Sequence, residues 1–172
     1  FFFILGFMNR FDIIIWGATS FTGKLVTQYF FKNFESNKIK WAIAGRNKSK
    51  LENIRLEVAD EKIPILVADS FDEKSLSLIV KETRVICSTV GPYALYGSLL
   101  VELCVKYSTN YCDITGEAHW IRTLIDKFHE DAKSKKIKIV NSCGFDSIPS
   151  DMGVYFIQKK IKKLYKSYAK SI

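Results

Sequence analysis

The sequence Ile13-Ile14-Ile15-Trp16-Gly17-Ala18-Thr19-Ser20-Phe21-Thr22-Gly23-Lys24 joins an apolar run, a turn between two glycines and a segment able to begin a helix. This order predicts the first strand, phosphate loop and first helix of a dinucleotide-binding domain. Gly17 permits the tight turn that leaves the strand, and Gly23 lets the helix lie close to the sheet. Backbone N–H groups at the helix N-terminus can then face a pyrophosphate.

The middle position of this glycine pattern holds Ser20. Serine is small and can donate a hydrogen bond to phosphate, but it approaches the phosphate less closely than glycine. Two glycines after an apolar run are a weak signal alone, because any strand-to-helix turn favours glycine. The interpretation therefore depends on the rest of the chain.

Length and composition indicate one ordinary globular domain, with 172 residues of which 48% are hydrophobic. The four cysteines form no C-x-x-C pair and lie in apolar or strand-like stretches, which indicates a reduced, intracellular and cytoplasmic protein. Only His119 and His129 could supply imidazole ligands, and both are interpreted as surface or packing residues. We therefore predict no metal site.

The net charge of +8 is concentrated at the C-terminus. Residues 158–172 contain six lysines and no acid, which leaves twenty basic and eighteen acidic residues in the rest of the chain. The basic character thus belongs to a tail. The body has no RNA-binding signature and no basic stripe interleaved with aromatic residues, so nucleic acid is not expected as a partner.

The first seven residues, Phe1-Phe2-Phe3-Ile4-Leu5-Gly6-Phe7, are too few to span a membrane and follow no positively charged segment. Met8 is a natural start for the chain. We interpret residues 1–10 as an N-terminal extension outside the fold, with an apolar anchor as the alternative.

Apolar runs and helical patterns alternate along residues 11–157, which predicts a Rossmann-like α/β domain with a doubly wound parallel sheet. The predicted strands are residues 13–16, 41–44, 63–69, 84–90, 110–115 and 137–140. The predicted helices are residues 22–35, 48–58, 73–81, 97–107 and 117–134, and a last helix capped by Asp151. Leu25, Val26, Tyr29 and Phe30 are predicted to form the apolar face of the first helix.

Arg46 stands at the end of the second predicted strand, where an acidic residue would bind the ribose of NAD. A guanidinium at this position can pair with the 2′-phosphate of NADP and stack on the adenine. Lys48 and Lys50 can reinforce the positive charge. The alternative is a solvated arginine in a surface loop.

Two further segments end strands at the ligand-binding edge of such a sheet. Asp69 ends the third strand and either contacts the adenine or, with the residues up to Asp72, caps the next helix. The fourth strand runs into Thr89-Val90-Gly91-Pro92, where the glycine and proline leave backbone open to a ribose or nicotinamide.

The last predicted helix carries an apolar stripe opposite its lysines: Val154, Ile157, Ile161, Leu164 and Tyr168. Such a helix can lie on an anionic membrane surface or cross into a further domain. Its exposed apolar side chains also predict a partner, such as a second copy of the chain in a homodimer.

Five segments, in order, resemble the saccharopine dehydrogenase-like oxidoreductases, a family that includes trans-acting enoyl reductases. They are WGATSFTG (16–23), AGRN (44–47), STVGPY (88–93), DITGE (113–117) and CGFDSIPSD (143–151). The resemblance implies an N-terminal Rossmann domain that binds NADP(H). It also implies a lipid-linked substrate and contact with lipid droplets or other membranes, because relatives act in lipid biosynthesis or associate with lipid droplets.

The resemblance implies that Gly17, Thr19, Phe21, Thr22 and Gly23 lie at the phosphates and Arg46 at the 2′-phosphate. The complete predicted cofactor-binding set is Gly17, Ala18, Thr19, Ser20, Phe21, Thr22, Gly23, Arg46, Asp69, Thr89, Val90, Gly91 and Pro92. The chain departs from the family at Ser20, where glycine is usual. It also ends soon after Asp151, where family members continue into a second domain, and we interpret residues 158–172 as the start of that domain or as a domain-crossing helix.

Candidates for the proton donor of a hydride-transfer reaction are Tyr93, Glu117, Asp146 and Ser147. Tyr155 and Lys159 match the Y-x-x-x-K spacing of short-chain dehydrogenases, but their position after the sixth strand indicates coincidence. The sequence leaves open an NADPH-dependent oxidoreductase, a cofactor-binding module without its own chemistry, and a membrane-associated protein linked to lipids.

Overall fold

The computed structural model describes residues 10–34, 38–58 and 62–171. Strands and helices alternate along this part of the chain as follows: β1 (Phe11–Trp16), α1 (Phe21–Asn33), β2 (Trp41–Gly45), α2 (Lys48–Glu57), β3 (Ile65–Val67), α3 (Glu73–Lys81), β4 (Thr83–Ser88), α4 (Tyr93–Tyr96), α5 (Ser98–Tyr107), β5 (Asn110–Asp113), α6 (Ala118–Ser134), β6 (Ile139–Val140) and α7 (Ile148–Tyr165). The predicted extension at residues 1–9 and the predicted helix end at Ser36-Asn37 lie outside the described residues.

The six strands form one parallel sheet in the order β3-β2-β1-β4-β5-β6. This is the strand order of a Rossmann fold, so the predicted fold class is confirmed. The chain runs outward from β1 to β3 and then returns to place β4 on the other side of β1. The carboxyl ends of β1 and β4 therefore meet at the point where such sheets bind ligands.

The sheet is buried on both faces of β1, which explains why its sequence is a continuous apolar run. Ile14 and Trp16 belong to one apolar cluster, which includes Leu76 of α3 and Leu100 of α5. Ile15 points the other way and belongs to a second cluster beneath α1 and α2. The tight turn after Trp16 therefore follows a strand that packs against apolar clusters on both faces of the sheet.

The predicted apolar face of α1 is partly wrong. Leu25 and Tyr29 are exposed, whereas Gly23 and Thr27 are the buried residues of this helix. The Thr27 hydroxyl donates a 2.8 Å hydrogen bond to the carbonyl of Gly23, so the threonine buries no unpaired polar group. Small residues face the sheet because the helix lies too close to it for larger side chains.

Two helices near the functional edge also differ from the predictions. The short helix α4 follows Pro92 directly and was not predicted. Helix α7 begins at Ile148 with Ser147 at its N-cap, so Asp151 lies in the first turn and is not the cap. None of the described residues of α7 is buried, and its predicted apolar stripe is therefore largely exposed.

Candidate cofactor-binding site

A cleft of about 380 Å³ lies at the carboxyl ends of the central strands. Nine residues predicted from the sequence line it: Gly17, Thr19, Ser20, Arg46, Asp69, Thr89, Val90, Gly91 and Pro92. They come from four separate loops, which follow β1, β2, β3 and β4. The topology thus brings together groups that are up to 75 positions apart in the sequence, counted from Gly17 to Pro92.

Gly17 has a backbone conformation that side chains rarely adopt, with φ at +86°. A Cβ atom here would lie 2.4 Å from the Cγ2 atom of Val90. Both the turn and the close approach of the loop after β4 therefore require glycine. This is the role that the sequence pattern predicts for the first glycine of the phosphate loop.

The N-terminus of α1 points unpaired donors outward. Ser20 is the N-cap, and its hydroxyl oxygen accepts a 3.0 Å hydrogen bond from the Gly23 N–H. The N–H groups of Thr19, Phe21 and Thr22 have no acceptor in the part of the chain that the structure describes. Free N–H groups at the positive end of a helix suit a phosphate.

The hydroxyl of Ser20 also connects the phosphate loop to β4. It lies 3.1 Å from the hydroxyl of Thr89, which in turn lies 3.0 Å from the carbonyl oxygen of Gly17. Because a carbonyl can only accept, Thr89 donates to Gly17 and Ser20 donates to Thr89. The Ser20 proton is therefore directed to Thr89, and the phosphate donors at this loop are backbone N–H groups.

Four predicted cofactor residues do not line the cleft with their side chains. Ala18 is fully buried in the core, and its N–H donates to the carbonyl of Ala44. Gly23 is buried between α1 and the Gly17 turn. Phe21 is 83% exposed and Thr22 is half-buried, and neither side chain lines the cleft.

Arg46 follows β2 directly, and its side chain is exposed beside the cleft. No carboxylate among the described residues pairs with it. A guanidinium without an internal partner leaves all its donors available to an anionic ligand.

In the acidic segment after β3, one aspartate lies at the cleft and another caps the next helix. Asp69 lines the cleft, and its carboxylate accepts a 2.9 Å hydrogen bond from the Phe71 N–H. Asp72 caps α3 by accepting from the N–H groups of Lys74 and Ser75. Hydrogen bonding to Ser75 lowers the pKa of the Asp72 carboxyl, as expected for an ionised cap.

An aromatic wall was missed by the sequence analysis. Phe71 and Tyr96 line one side of the cleft, with ring centroids 5.5 Å apart, and Phe71 is 65% exposed. A phenylalanine soon after Asp69, in the loop that follows β3, was the available signal. Such a ring can pack against a planar base.

Tyr93 and Glu117, two of the four candidate proton donors, hold α4 in place. The Tyr93 hydroxyl donates to the Ser88 carbonyl at 3.1 Å, and burial raises the pKa of this phenol. The Glu117 carboxylate accepts from the N–H groups of Tyr93 at 2.6 Å and Ala94 at 2.8 Å, at the start of α4. These contacts fix the helix that follows the Gly91-Pro92 loop.

The other two candidates, Asp146 and Ser147, lie at the beginning of α7 and do not line the cleft. The segment that carries them is tied to β5 through Asp113, which is 1% exposed. Its carboxylate accepts hydrogen bonds from Tyr111, Thr115, Asn141 and Ser142 at 2.8–3.1 Å. A buried carboxylate with four donors is fully paired and organises the ends of β5 and β6.

The family model described as the saccharopine dehydrogenase NADP binding domain matches residues 13–140. The chain belongs to this NADP-binding domain family. A lipid droplet localized protein of Caenorhabditis elegans is 35% identical over 158 residues, and a trans-acting enoyl reductase of Mycobacterium leprae is 37% identical over 155 residues. These alignments cover 88% and 89% of the chain but only 37% of each relative.

The fold of this NADP-binding domain is also found in the apo saccharopine dehydrogenase (L-Glu forming) of Saccharomyces cerevisiae. The two structures match with a TM-score of 0.67 and 15% sequence identity, over 91% of this chain and 32% of the yeast chain. At this identity the likeness concerns the fold alone.

The cleft of the NADP-binding domain fits NADP(H) as its cofactor. A Cβ atom at Gly17 would fill the turn, three free N–H groups point outward from the phosphate loop, and the unpaired Arg46 stands at the predicted 2′-phosphate position. Among the described residues, no cluster of His, Cys, Asp and Glu suits a metal ion. No helix in the described ranges is long and apolar enough to cross a membrane.

Proposed function

We propose that this domain is the cofactor half of an NADPH-dependent oxidoreductase. The observation that carries the proposal is the alignment of two anion sites along one cleft, the free N–H groups at the start of α1 and the unpaired Arg46. Their chemistry suits the pyrophosphate and the 2′-phosphate of NADP, respectively. Arg46 would thereby select NADPH over NADH.

The adenine would lie near Asp69 and Phe71, because both line the cleft and belong to the loop that follows β3. The nicotinamide would lie towards Gly91 and Pro92 at the carboxyl end of β4. When bound, NADPH supplies a hydride. Tyr93 and Glu117 support this arrangement by holding α4 and the loop before it.

A lipid-linked double bond is the substrate that we propose for the whole protein. Two observations support it: one relative is called a trans-acting enoyl reductase and another a lipid droplet localized protein. The proton donor for this reduction remains among Tyr93, Glu117, Asp146 and Ser147 or lies in a further domain. A cofactor-binding module without its own chemistry is the alternative for the chain taken alone.

Contact with a lipid droplet or membrane surface is proposed for α7. Three lysines of α7 and the C-cap residue Lys166 lie beside Tyr155 and Tyr168 around a surface cavity of about 700 Å³; the three are Lys159, Lys162 and Lys163. Within the described ranges, no carboxylate pairs with any of these lysines. Lysines without carboxylate partners, beside exposed apolar side chains, suit an anionic lipid interface.

Titration of the purified 172-residue chain with NADPH, and separately with NADH, tests the cofactor assignment by nucleotide fluorescence. We expect saturable binding that favours NADPH. Equal affinity for both nucleotides would contradict the placement of Arg46 at the 2′-phosphate. If circular dichroism shows a folded chain and neither nucleotide binds, the cofactor assignment is contradicted.

Sedimentation with vesicles tests the membrane contact independently. We expect binding to vesicles that contain phosphatidylserine, weakened by salt, and little binding to phosphatidylcholine alone. Binding that ignores both salt and lipid charge would exclude α7 as an electrostatic anchor. Light scattering of the same sample would detect the predicted homodimer.

A further inference from the structure

Two thiols stand side by side in neighbouring strands, on one face of the sheet. Cys87 of β4 is the register partner of Cys112 of β5. On one side of the pair, the same row contains Ile15 of β1, which is fully buried beneath α1 and α2; on the other side it ends at Val140 of β6, which is 46% exposed. Cys87 and Cys112 lie between these extremes and are both half-buried.

The spacing of this pair permits a disulfide. Neighbouring strands lie about 4.8 Å apart, and bridged cysteines have Cα atoms roughly 4.4–6.8 Å apart. Register partners also point to the same face of the sheet. Cys87 and Cys112 therefore project from neighbouring strands onto the same face of the sheet.

The two thiols differ in acidity. The neighbouring Cys112 thiol lowers the pKa of Cys87, whereas the neighbouring Cys87 sulfur raises the pKa of Cys112. A thiolate attacks an oxidant faster than a thiol does. This difference favours Cys87 as the attacking sulfur, and its register partner Cys112 is placed to react with it afterwards.

The other two cysteines have different surroundings. Cys104 is fully buried in the core on the opposite face, and burial raises the pKa of its thiol. Cys143 is exposed in the segment after β6, and partial burial raises its pKa as well. Of the four cysteines, only Cys87 combines partial exposure with a lowered pKa and an adjacent thiol.

We propose that Cys87 and Cys112 form a peroxide-sensitive dithiol that is reversibly oxidised to a disulfide. The Cys87 thiolate attacks one oxygen of hydrogen peroxide and breaks the O–O bond, which gives a sulfenic acid and, after protonation, water. The Cys112 sulfur then attacks the Cys87 sulfur, the S–O bond breaks, and a second water leaves with the Cys112 proton. Two thiols and one peroxide thus give one disulfide and two waters.

The position of the pair gives the modification a structural consequence. Cys87 is two residues before Thr89, whose hydroxyl contacts the Gly17 turn. A disulfide would join β4 to β5 directly below the loop that lines the cleft.

The test is oxidation of the folded 172-residue chain with hydrogen peroxide, followed by thiol counting and peptide mapping by mass spectrometry. We expect two of the four thiols to be lost, a linked pair of peptides that contain Cys87 and Cys112, and recovery of all four thiols with dithiothreitol. Oxidation that consumes Cys143 first while Cys87 and Cys112 stay reduced would overturn the proposal.

Variants distinguish specific oxidation of the Cys87 and Cys112 pair from unspecific oxidation of the thiols by peroxide. In Cys112→Ser, a dimedone adduct on Cys87 is expected to replace the disulfide, whereas Cys143→Ser is expected to form the same disulfide as the unaltered chain. Loss of the linked peptides in Cys143→Ser would overturn the proposal.

A second measurement applies if Cys112→Ser fails to fold. Phenylarsine oxide bridges adjacent thiols, so its 1:1 reaction with the unaltered chain is expected to protect Cys87 and Cys112 from alkylation. Failure of that protection would also contradict the proposal.

Discussion

Gly23 of α1 lies against the carbonyl of Gly17, so closely that a Cβ atom on Gly23 would be 2.1 Å from that oxygen. The neighbouring Ala18 Cα would be only 2.8 Å away. Both obstacles are backbone atoms, so no side-chain rotation can relieve the overlap. The position of the α1 N-terminus, and of its free N–H groups, therefore depends on the absence of a side chain at this glycine.

Gly23→Ala should destabilise the domain by about 3 kcal/mol or more, because the helix must move away from the turn. Urea unfolding followed by circular dichroism measures this loss. Gly153→Ala is the matched control, since nothing lies within 4 Å of the Cβ position at Gly153 inside α7. The control should be neutral or stabilising by up to about 1 kcal/mol. Equal effects at both glycines would contradict the close-packing argument.

The phosphate loop, Arg46 and the loop after β4 could be predicted because their chemistry depends on local sequence. Glycine at a tight turn and a cation after the second strand leave a signal within a few residues. The doubly wound parallel sheet could be predicted for a similar reason, because alternating strands and helices with short turns permit few topologies.

The parts that could not be predicted depend on contacts between distant segments. Helix α4 follows a glycine and a proline, and its N–H groups are capped by Glu117 more than twenty positions later. The Phe71 and Tyr96 pair joins the loop after β3 to α4. On α1, apolar spacing favoured Leu25 and Tyr29, but close packing at Gly23 turned a different face to the sheet.

Arg46→Ala should weaken NADPH binding by roughly 10- to 100-fold, the equivalent of a charge-assisted hydrogen bond worth about 1.5–3 kcal/mol. NADH binding should be nearly unchanged, because NADH lacks the 2′-phosphate. Nucleotide fluorescence titration measures both affinities. Arg84→Ala is the control, since this arginine pairs with Asp12 at the start of β1, away from the cleft. An equal loss for both nucleotides would place Arg46 elsewhere on the cofactor.

Asp12 should make stability depend on pH in the acid range. Its carboxylate accepts the Lys40 N–H at 3.0 Å and faces Arg84 at 3.3 Å, and these contacts lower the pKa of Asp12 below its ordinary 3.8. A carboxyl whose folded-state pKa is lowered stabilises the fold above the ordinary value, and this contribution is lost as pH falls through the folded value.

Asp12→Asn should therefore cost up to about 1 kcal/mol near neutral pH, a small value because the Asp12 side chain is 37% exposed. The difference from the unaltered chain should shrink below pH 3.8 in a series of urea unfolding curves. Asp131→Asn on α6 is the control, because its side chain has no partner in the described ranges. A difference that persists unchanged at low pH would show that ionisation of Asp12 is not the cause.

The lysines of α7 should control binding to anionic vesicles. Each lysine near such a surface contributes about 1 kcal/mol, so Lys159→Gln combined with Lys163→Gln should weaken binding roughly thirtyfold. Lys74→Gln combined with Lys81→Gln removes the same charge from α3 and should have a much smaller effect. Vesicle sedimentation at fixed salt compares the two pairs, and equal losses would mean that net charge alone, and not α7, determines the binding.

Glu117→Gln should separate the capping role of this residue from a role as proton donor. The carboxylate accepts two N–H groups at the start of α4, whereas an amide offers one oxygen and turns an NH₂ group towards the other donor. We expect a loss of about 1–3 kcal/mol in urea unfolding, together with weaker NADPH binding as the Gly91-Pro92 loop loses support. Glu102→Gln is the control, because Glu102 pairs with Lys127 on the exposed surface of α5. Unchanged stability and unchanged NADPH binding in Glu117→Gln would show that the cap is dispensable and would leave proton donation as the reason for a carboxylate at this position.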